Sequence, residues 1–459
     1  MTKADMSKTQ DPLGNEPQTK LNFKQKQAIW ILSIGTFLEY FDLMLYVHMA
    51  VILNDLFFPK VNDPELKFII TAGAFCSTYM MRPVGALIFG YIGDKVGRKN
   101  TVIVTTFMMA VACVIMASLP TYKEIGKLAT IAMFFCRMLQ GMSSLGEVTG
   151  ALVYLNEFIQ PPARYKAIPL IPLATTVGFL AALGLAHFIV KYGMNWRNAF
   201  WGGAIIALVG VKARTALRET PEFADAKRRI KNYNLEHAHN FNEKKFDKDI
   251  KFYEKQSKPA LKESAYLFIL ECLSPFCVYL SFFYCSDLLK IHFNYTGAMI
   301  IKQNFYLAVI ALIKYLTLLW LCSKFNPLSV VKYQLYILSI ILIIFPFLLY
   351  IKTTLLIFAI QILISVFALN VTIAASCMYE HFPVFKRVRL IALMRALSHS
   401  GTYIITSAGL VFLANKLGVT SISFVSAILC TGSIFGLKYF TKLHNEKAAT
   451  KKETKSAVV

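Results

Sequence analysis

Eight ionisable residues lie inside long apolar runs: Glu39, Asp42, Arg82, Arg137, Glu147, Glu271, Lys314 and Arg395. A charge in such surroundings costs from a few to over ~10 kcal/mol, so it needs a partner and marks a path for a proton, an ion or a charged solute. Glu39 and Asp42 are spaced i,i+3 and share a helix face. Arg137 is expected to neutralise one of them. Desolvation and an arginine act on an acid in opposite senses, which suits a proton carrier; a plain structural ion pair is the alternative. Lys314 offers an ammonium to a solute carboxylate, or else snorkels along its apolar stem to an interface. Tyr40, beside Phe41, offers an aromatic face to a cationic group, or simply packs. Glu147 is a further candidate for binding solute.

A second set, Asp94, Arg98, Glu157, Arg164, Glu380 and Arg387, stands at the ends of apolar runs. Glu157 and Arg164 flank Pro161, and Glu380 and Arg387 flank Pro383, both with the spacing E-x6-R. The recurrence points to two parallel repeats related by an axis along the membrane normal. The acid–arginine pairs suit an ion-pair latch; otherwise they are ordinary surface pairs worth under about 1 kcal/mol each.

The elements that must position these residues follow from composition. The 459 residues are 56% hydrophobic and 16% charged, with a mean hydropathy of +0.51, where a soluble chain carries roughly 25% charge. Apolar blocks run at 28–53, 68–91, 101–119, 127–150, 167–190 and 198–213, then at 264–287, 300–322, 332–350, 353–378, 390–414 and 419–440. Most are long enough to cross a bilayer core of about 30 Å as helix. Glu39 and Arg137 each fall about ten residues into a span, roughly 15 Å deep. The fold class is therefore an all-α integral membrane protein of twelve transmembrane helices in two six-helix halves, 28–213 and 264–440, joined by a linker, 214–263.

The formal charge of +23 is a matter of topology rather than of nucleic-acid binding. With a cytoplasmic N-terminus, about 34 of the 49 Lys and Arg fall on the cytoplasmic side and about 10 outside. Both tails, 1–27 and 441–459, are then cytoplasmic, and basic segments attract anionic lipid at roughly 1 kcal/mol per residue. The N-terminal stretch has no apolar run with a small-residue cleavage site and reads as a tail, not a signal peptide. Nine cysteines sit in or beside apolar blocks without metal-ligand spacing and read as packing residues. His237 and His239 in the linker have no third ligand, so no metal is expected.

Gly90-Tyr91-Ile92-Gly93-Asp94-Lys95-Val96-Gly97-Arg98-Lys99 resembles the loop after helix two of the major facilitator superfamily. Gly35-Thr36-Phe37-Leu38-Glu39-Tyr40-Phe41-Asp42, Arg82-Pro83-Val84-Gly85, Arg137-Met138-Leu139-Gln140-Gly141, Gly146-Glu147, Trp196-Arg197 and Leu217-Arg218-Glu219-Thr220-Pro221-Glu222-Phe223 are similar to its metabolite:proton symporter branch. That branch includes proline/betaine and 2-oxoglutarate or citrate carriers. The C-terminal half matches through Phe382-Pro383 and Arg387; its own loop, Cys322-Ser323-Lys324-Phe325-Asn326-Pro327, lacks the Asp and paired Arg. The resemblance implies proton-coupled symport at a midplane site, with Asp94, Arg98, Glu157, Arg164, Glu380 and Arg387 as the cytoplasmic gate. Helix five lacks the Gly-Pro pattern of drug antiporters, which favours symport.

The expected function is uptake of a small zwitterionic osmolyte, such as proline or glycine betaine, across the cell inner membrane with a proton. A dicarboxylate or tricarboxylate:proton carrier is the alternative, and a transport-dead sensor or scaffold is the alternative of another class. No G-x4-G-K-[ST] phosphate loop occurs. Neither a cofactor nor enzymatic activity is expected, and no heptads follow Phe440 to suggest a coiled coil.

Overall fold

The computed structural model describes residues 18–59, 64–217, 219–220, 223–225, 227–228, 260–351, 353–410, 413 and 416–456. His237, His239 and most of the linker, together with Arg218, Pro221 and Glu222, lie outside the described residues. Twelve long helical elements run through the described chain. In the first half they are α1 (Phe23–Phe57), α2 (Pro64–Lys95), α3 (Arg98–Ser118), α4 (Lys127–Phe158), α5 (Leu170–Tyr192) and α6 (Arg197–Thr215). In the second, α7 runs as Leu261–Val278, turns π-helical at Tyr279–Tyr284 and resumes as Cys285–Phe293. It is followed by α8 (Gly297–Lys324), α9 (Pro327–Leu348), α10 (Thr354–Phe367), α11 (Arg387–Ile404) and α12 (Ser421–Ser456).

Nine described spans are long and apolar enough to cross a membrane by composition alone. Helices α2, α6 and α11 are not among them. Each carries at least three charged residues, among them Arg82 and Asp94 in α2, Arg214 in α6 and Arg395 in α11. Charged residues within these three helices lower their hydropathy, and Arg82, Asp94, Arg214 and Arg395 among them are buried. Twelve helices in two six-helix halves remain the architecture.

Helix ends are set by local chemistry. Asn22 caps α1, accepting from the Gln25 amide at 2.8 Å, while Gln25 returns a side-chain oxygen to the Asn22 amide. Such a box is worth about 1 kcal/mol. Asn326 caps α9 by accepting from the Leu328 amide at 2.9 Å, with Pro327 at the first helical position, where a missing N–H costs nothing. The eight cysteines whose side chains are described are buried free thiols.

Glycine governs helix packing where backbones meet. A Cβ on Gly141 would stand 2.0 Å from the Thr78 carbonyl oxygen, and one on Gly85 2.1 Å from that of Met142, so α2 and α4 touch at backbone distance. Between the halves, α2 packs on α11 and α5 on α8. These two seams exchange under the pseudo-two-fold relation that the repeated spacing implies.

Helix α10 ends at Phe367, and the chain unwinds through Ala368-Leu369-Asn370 before a 3-10 turn at Val371–Ala374. The apolar block 353–378 read as one continuous span; the structure breaks it. Lys314 on α8 fills the gap, donating to the carbonyls of Ser365 at 3.0 Å and Ala368 at 2.8 Å. Backbone groups freed at membrane depth need such partners.

Candidate functional site

The space between the halves is a cavity of about 370 Å³. Tyr40 and Met44 of α1, Tyr79 and Arg82 of α2, and Phe179 of α5 line it from the first half. Glu271 and Phe282 of α7, Asn304 and Tyr315 of α8, the unwound Asn370, and Arg395, His399 and Tyr403 of α11 line it from the second. The charges are few and grouped. Arg395 Nε lies 3.4 Å from Glu271 Oε1, and His399 Nε2 lies 3.5 Å from Glu271 Oε2. Across from them, the Arg82 guanidinium sits 4.5 Å above the Tyr79 ring, whose centroid lies 4.8 Å from that of Tyr403 at a tilt of 53°.

Several of these polar atoms are buried without a hydrogen-bond partner: Arg82 Nε, Arg395 Nη1 and Asn304 Oδ1. An unsatisfied buried donor costs about 1–3 kcal/mol, more when charged. Convergent polar atoms in an otherwise largely apolar cavity between helices are the usual form of a solute site.

The other intramembrane charges lie apart from this cavity, Lys314 in the second half and the rest inside the first half. Arg137 and Asp42 are joined through Gln140, which accepts from Arg137 Nη1 at 2.7 Å and donates to Asp42 Oδ2. Arg137 also lies 3.9 Å above the Tyr46 ring. The expected pairing of Arg137 with a helix-one acid is therefore relayed by an amide rather than direct. Glu39, Asp42 and Glu147 border one small void with Thr106 and Cys113. Glu39 Oε2 has no hydrogen-bond partner.

Glu147 is held by Arg214 at 2.5 Å and by the Thr106 hydroxyl at 3.1 Å. Neither Glu147 nor Lys314 lines the central cavity; of the residues expected to bind solute, Tyr40 does. Arg214 is fully buried although its position at the start of the linker gave no sign of it. Gln140, Asn304, Asn370 and His399 likewise had no role legible in the sequence. Asn370, between Leu369 and Val371, was a sequence signal for the break in α10.

The six end-of-helix charges form two groups, Asp94, Arg98, Glu157 and Arg387 in one and Arg164 with Glu380 in the other. Arg98 grips Glu157 with two hydrogen bonds of 3.0 Å each, and donates at 2.9 Å to the Gly93 carbonyl and at 2.7 Å to that of Val384. Arg387 reaches Glu157 from the other half at 2.8 Å, and Thr220 donates to it at 2.6 Å. Asp94 accepts from the backbone amides of Val388 and Arg389 at 3.0 Å each, so a first-half carboxylate caps second-half helix α11. Gly97 holds φ at +138°, and a Cβ there would lie 2.0 Å from Glu219 Oε2, which fixes glycine in this loop.

Reciprocally, Arg164 lies 3.9 Å from Glu380. Each half's acid thus faces the other half's arginine. Arg164 Nε donates to the Ile159 carbonyl and Arg387 Nε to that of Phe382, five residues back in both repeats. The symmetry fails at one place. Glu157 has Arg98 from its own half, whereas Glu380 has His444 at 3.2 Å and Lys447 at 3.1 Å from the extension of α12. Lys324, in the loop equivalent to that of Arg98, instead sits 4.3 Å above Trp320.

The sequence profile of the Major Facilitator Superfamily matches residues 32–406. The chain belongs to this superfamily. Its family and fold are those of a multi-pass membrane transporter rather than an enzyme. Curated relatives include the proline/betaine transporters of Salmonella typhimurium, 31% identical over 44% of this chain and 41% of that protein, and of Escherichia coli, 30% identical over the same shares. The match spans less than half the length of these relatives. Among solved structures, the proton:xylose symporter XylE bound to 6-bromo-6-deoxy-D-glucose superposes with a TM-score of 0.72 over 91% of this chain and 95% of that one, at 14% identity. The human organic anion transporter MFSD10 does so at 0.63 over 90% and 99%, also at 14% identity. These likenesses carry the major facilitator fold, not a substrate.

Proposed function

We propose that this chain is a proton-coupled symporter of a small zwitterionic osmolyte of the proline or glycine betaine class. The observation that carries the reading is the composition of the central cavity. It offers Arg82 and Arg395 to a carboxylate, Tyr40, Tyr79, Tyr315, Tyr403, Phe179 and Phe282 to a cationic nitrogen, and a single carboxylate, Glu271. Aromatic faces attract a desolvated quaternary ammonium by up to about 2 kcal/mol. A dicarboxylate or tricarboxylate would bring one or more extra negative charges to a wall already holding Glu271, so the zwitterion is favoured.

Glu39 and Asp42 are the proton site, with Arg137 acting on Asp42 through Gln140. Protonation there changes the charge balance around Glu147, Arg214 and Arg82, and Arg82 borders the cavity. Asp94, Arg98, Glu157, Arg164, Glu380 and Arg387 form the cytoplasmic gate, closed here. Halves 28–213 and 264–440 then rock about the cavity, with linker and tails cytoplasmic in a cell inner membrane. Glu147 and Lys314 act by positioning, the first through Arg214 and the second through the broken α10.

Equilibrium binding of radiolabelled glycine betaine to purified protein, competed by proline, 2-oxoglutarate and citrate, tests the reading. Proline should displace the label at least about tenfold more effectively than either acid, and Arg395→Met should weaken binding by a comparable factor. Displacement by citrate but not proline would reverse the substrate assignment.

A further inference from the structure

We propose that Glu380, His381 and His444 form a binding site for a divalent transition-metal ion of the zinc class, joining the α12 extension to the gate segment of the second half. Two imidazoles and a carboxylate are a donor set that zinc favours over magnesium or calcium. Their ligand atoms already converge. His444 Nδ1 lies 3.2 Å and His381 Nε2 3.9 Å from the same oxygen, Glu380 Oε1, and all three atoms fall within 4.8 Å of one another. Ligand atoms about 2.0–2.1 Å from a tetrahedral ion stand roughly 3.4 Å apart, so movements of under about 1 Å complete the arrangement. The fourth position would fall to water.

Three further features separate this cluster from a chance encounter. His381 Nε2 is buried with no hydrogen-bond partner, an unspent nitrogen beside a carboxylate. The His381 ring is placed by Phe440, 6.5 Å away. The Glu380 carboxylate is also divided by function. Both histidines approach Oε1, while Arg164 at 3.9 Å and Lys447 at 3.1 Å approach Oε2. The cations therefore orient the carboxylate from its far oxygen, as outer-shell partners of metal ligands do. They also repel a dication, which weakens the affinity relative to a structural zinc site. His381 and His444 come from different elements, so ligand spacing along the chain carries no sign of the site.

Metal binding does not depend on the transport reading and is measured on the untagged, purified full chain. Zn2+ is titrated against a chromophoric indicator, with Mg2+ as the comparison ion, for wild type, His381→Gln and His444→Gln. One Zn2+ per chain is expected, with at least a tenfold loss in each variant and no Mg2+ uptake. Co2+ added to wild type alone should give the intense visible bands of a four-coordinate ion, a result independent of whether the variants fold. Zn2+ binding that both variants retain, no binding below about 100 µM, or only the weak bands of octahedral Co2+ would each overturn the proposal.

Discussion

Arg214 and Glu147 show how a buried charge hides in a sequence. Arg214 follows Lys212 at the edge of a basic segment and so reads as a juxtamembrane cation, yet it is fully buried and bonded to Glu147 at 2.5 Å. Only the close approach of α1 and α6 reveals the reason: a Cβ on Gly35 would fall 1.0 Å from Arg214 Nη2. Breaking such a pair from one side strands a charge and costs about 3–5 kcal/mol, whereas replacing both members with apolar groups of similar volume is far milder. Arg214→Met should therefore lower the thermal midpoint of the purified protein strongly, and Arg214→Met with Glu147→Met should recover much of it. Lys314 makes a comparable case. Its depth was legible, but its two carbonyl partners belong to a helix break that sequence did not show. Lys314→Met should destabilise the protein by about 1–3 kcal/mol per stranded carbonyl in a thermal melt, with Lys314→Arg intermediate.

Among the elements, the loop joining α2 and α3 was legible because its chemistry is local: Asp94, Gly97 and Arg98 have fixed spacing, and the backbone at Gly97 needs glycine. What Asp94 caps was not legible, since the amides of Val388 and Arg389 lie almost three hundred residues away. Asp94→Asn keeps a capping oxygen but loses its charge at the start of α11. Transport should fall at least about tenfold while membrane insertion, followed by surface labelling, is unchanged. The α12 extension is another element whose role depends on distant partners. Removal of residues 441–459 takes away both His444 and Lys447 and leaves Glu380 with Arg164 and His381. A cysteine placed at Val384 should then react faster with a membrane-impermeant thiol reagent; an unchanged rate would separate the extension from the gate. Helix α10 escaped sequence reading because the residues around Asn370 are apolar, so hydropathy runs smoothly across the break.

At the scale of the whole molecule, the two-fold exchange of partners is the organising fact. Glu157 meets Arg387 and Glu380 meets Arg164, across a seam formed by α2 with α11 and α5 with α8. The repeated E-x6-R spacing announced the repeat, but exchange between the halves needed three dimensions. In the proposed rocking, opening this end breaks both crossed pairs and the Asp94 cap together, so the proposed gate would open cooperatively. The acids meant to drive it, Glu39 and Asp42, sit inside the first half, next to but outside the cavity. The central claim is that their protonation is coupled to movement of a zwitterion in that cavity. The most direct measurement is accumulation of radiolabelled glycine betaine in proteoliposomes when an inward proton gradient is the only driving force. Wild type should concentrate the label, and Glu39→Gln or Asp42→Asn should abolish concentration while still exchanging internal for external solute. Equal accumulation with and without the gradient, or undiminished accumulation by both variants, would contradict the account.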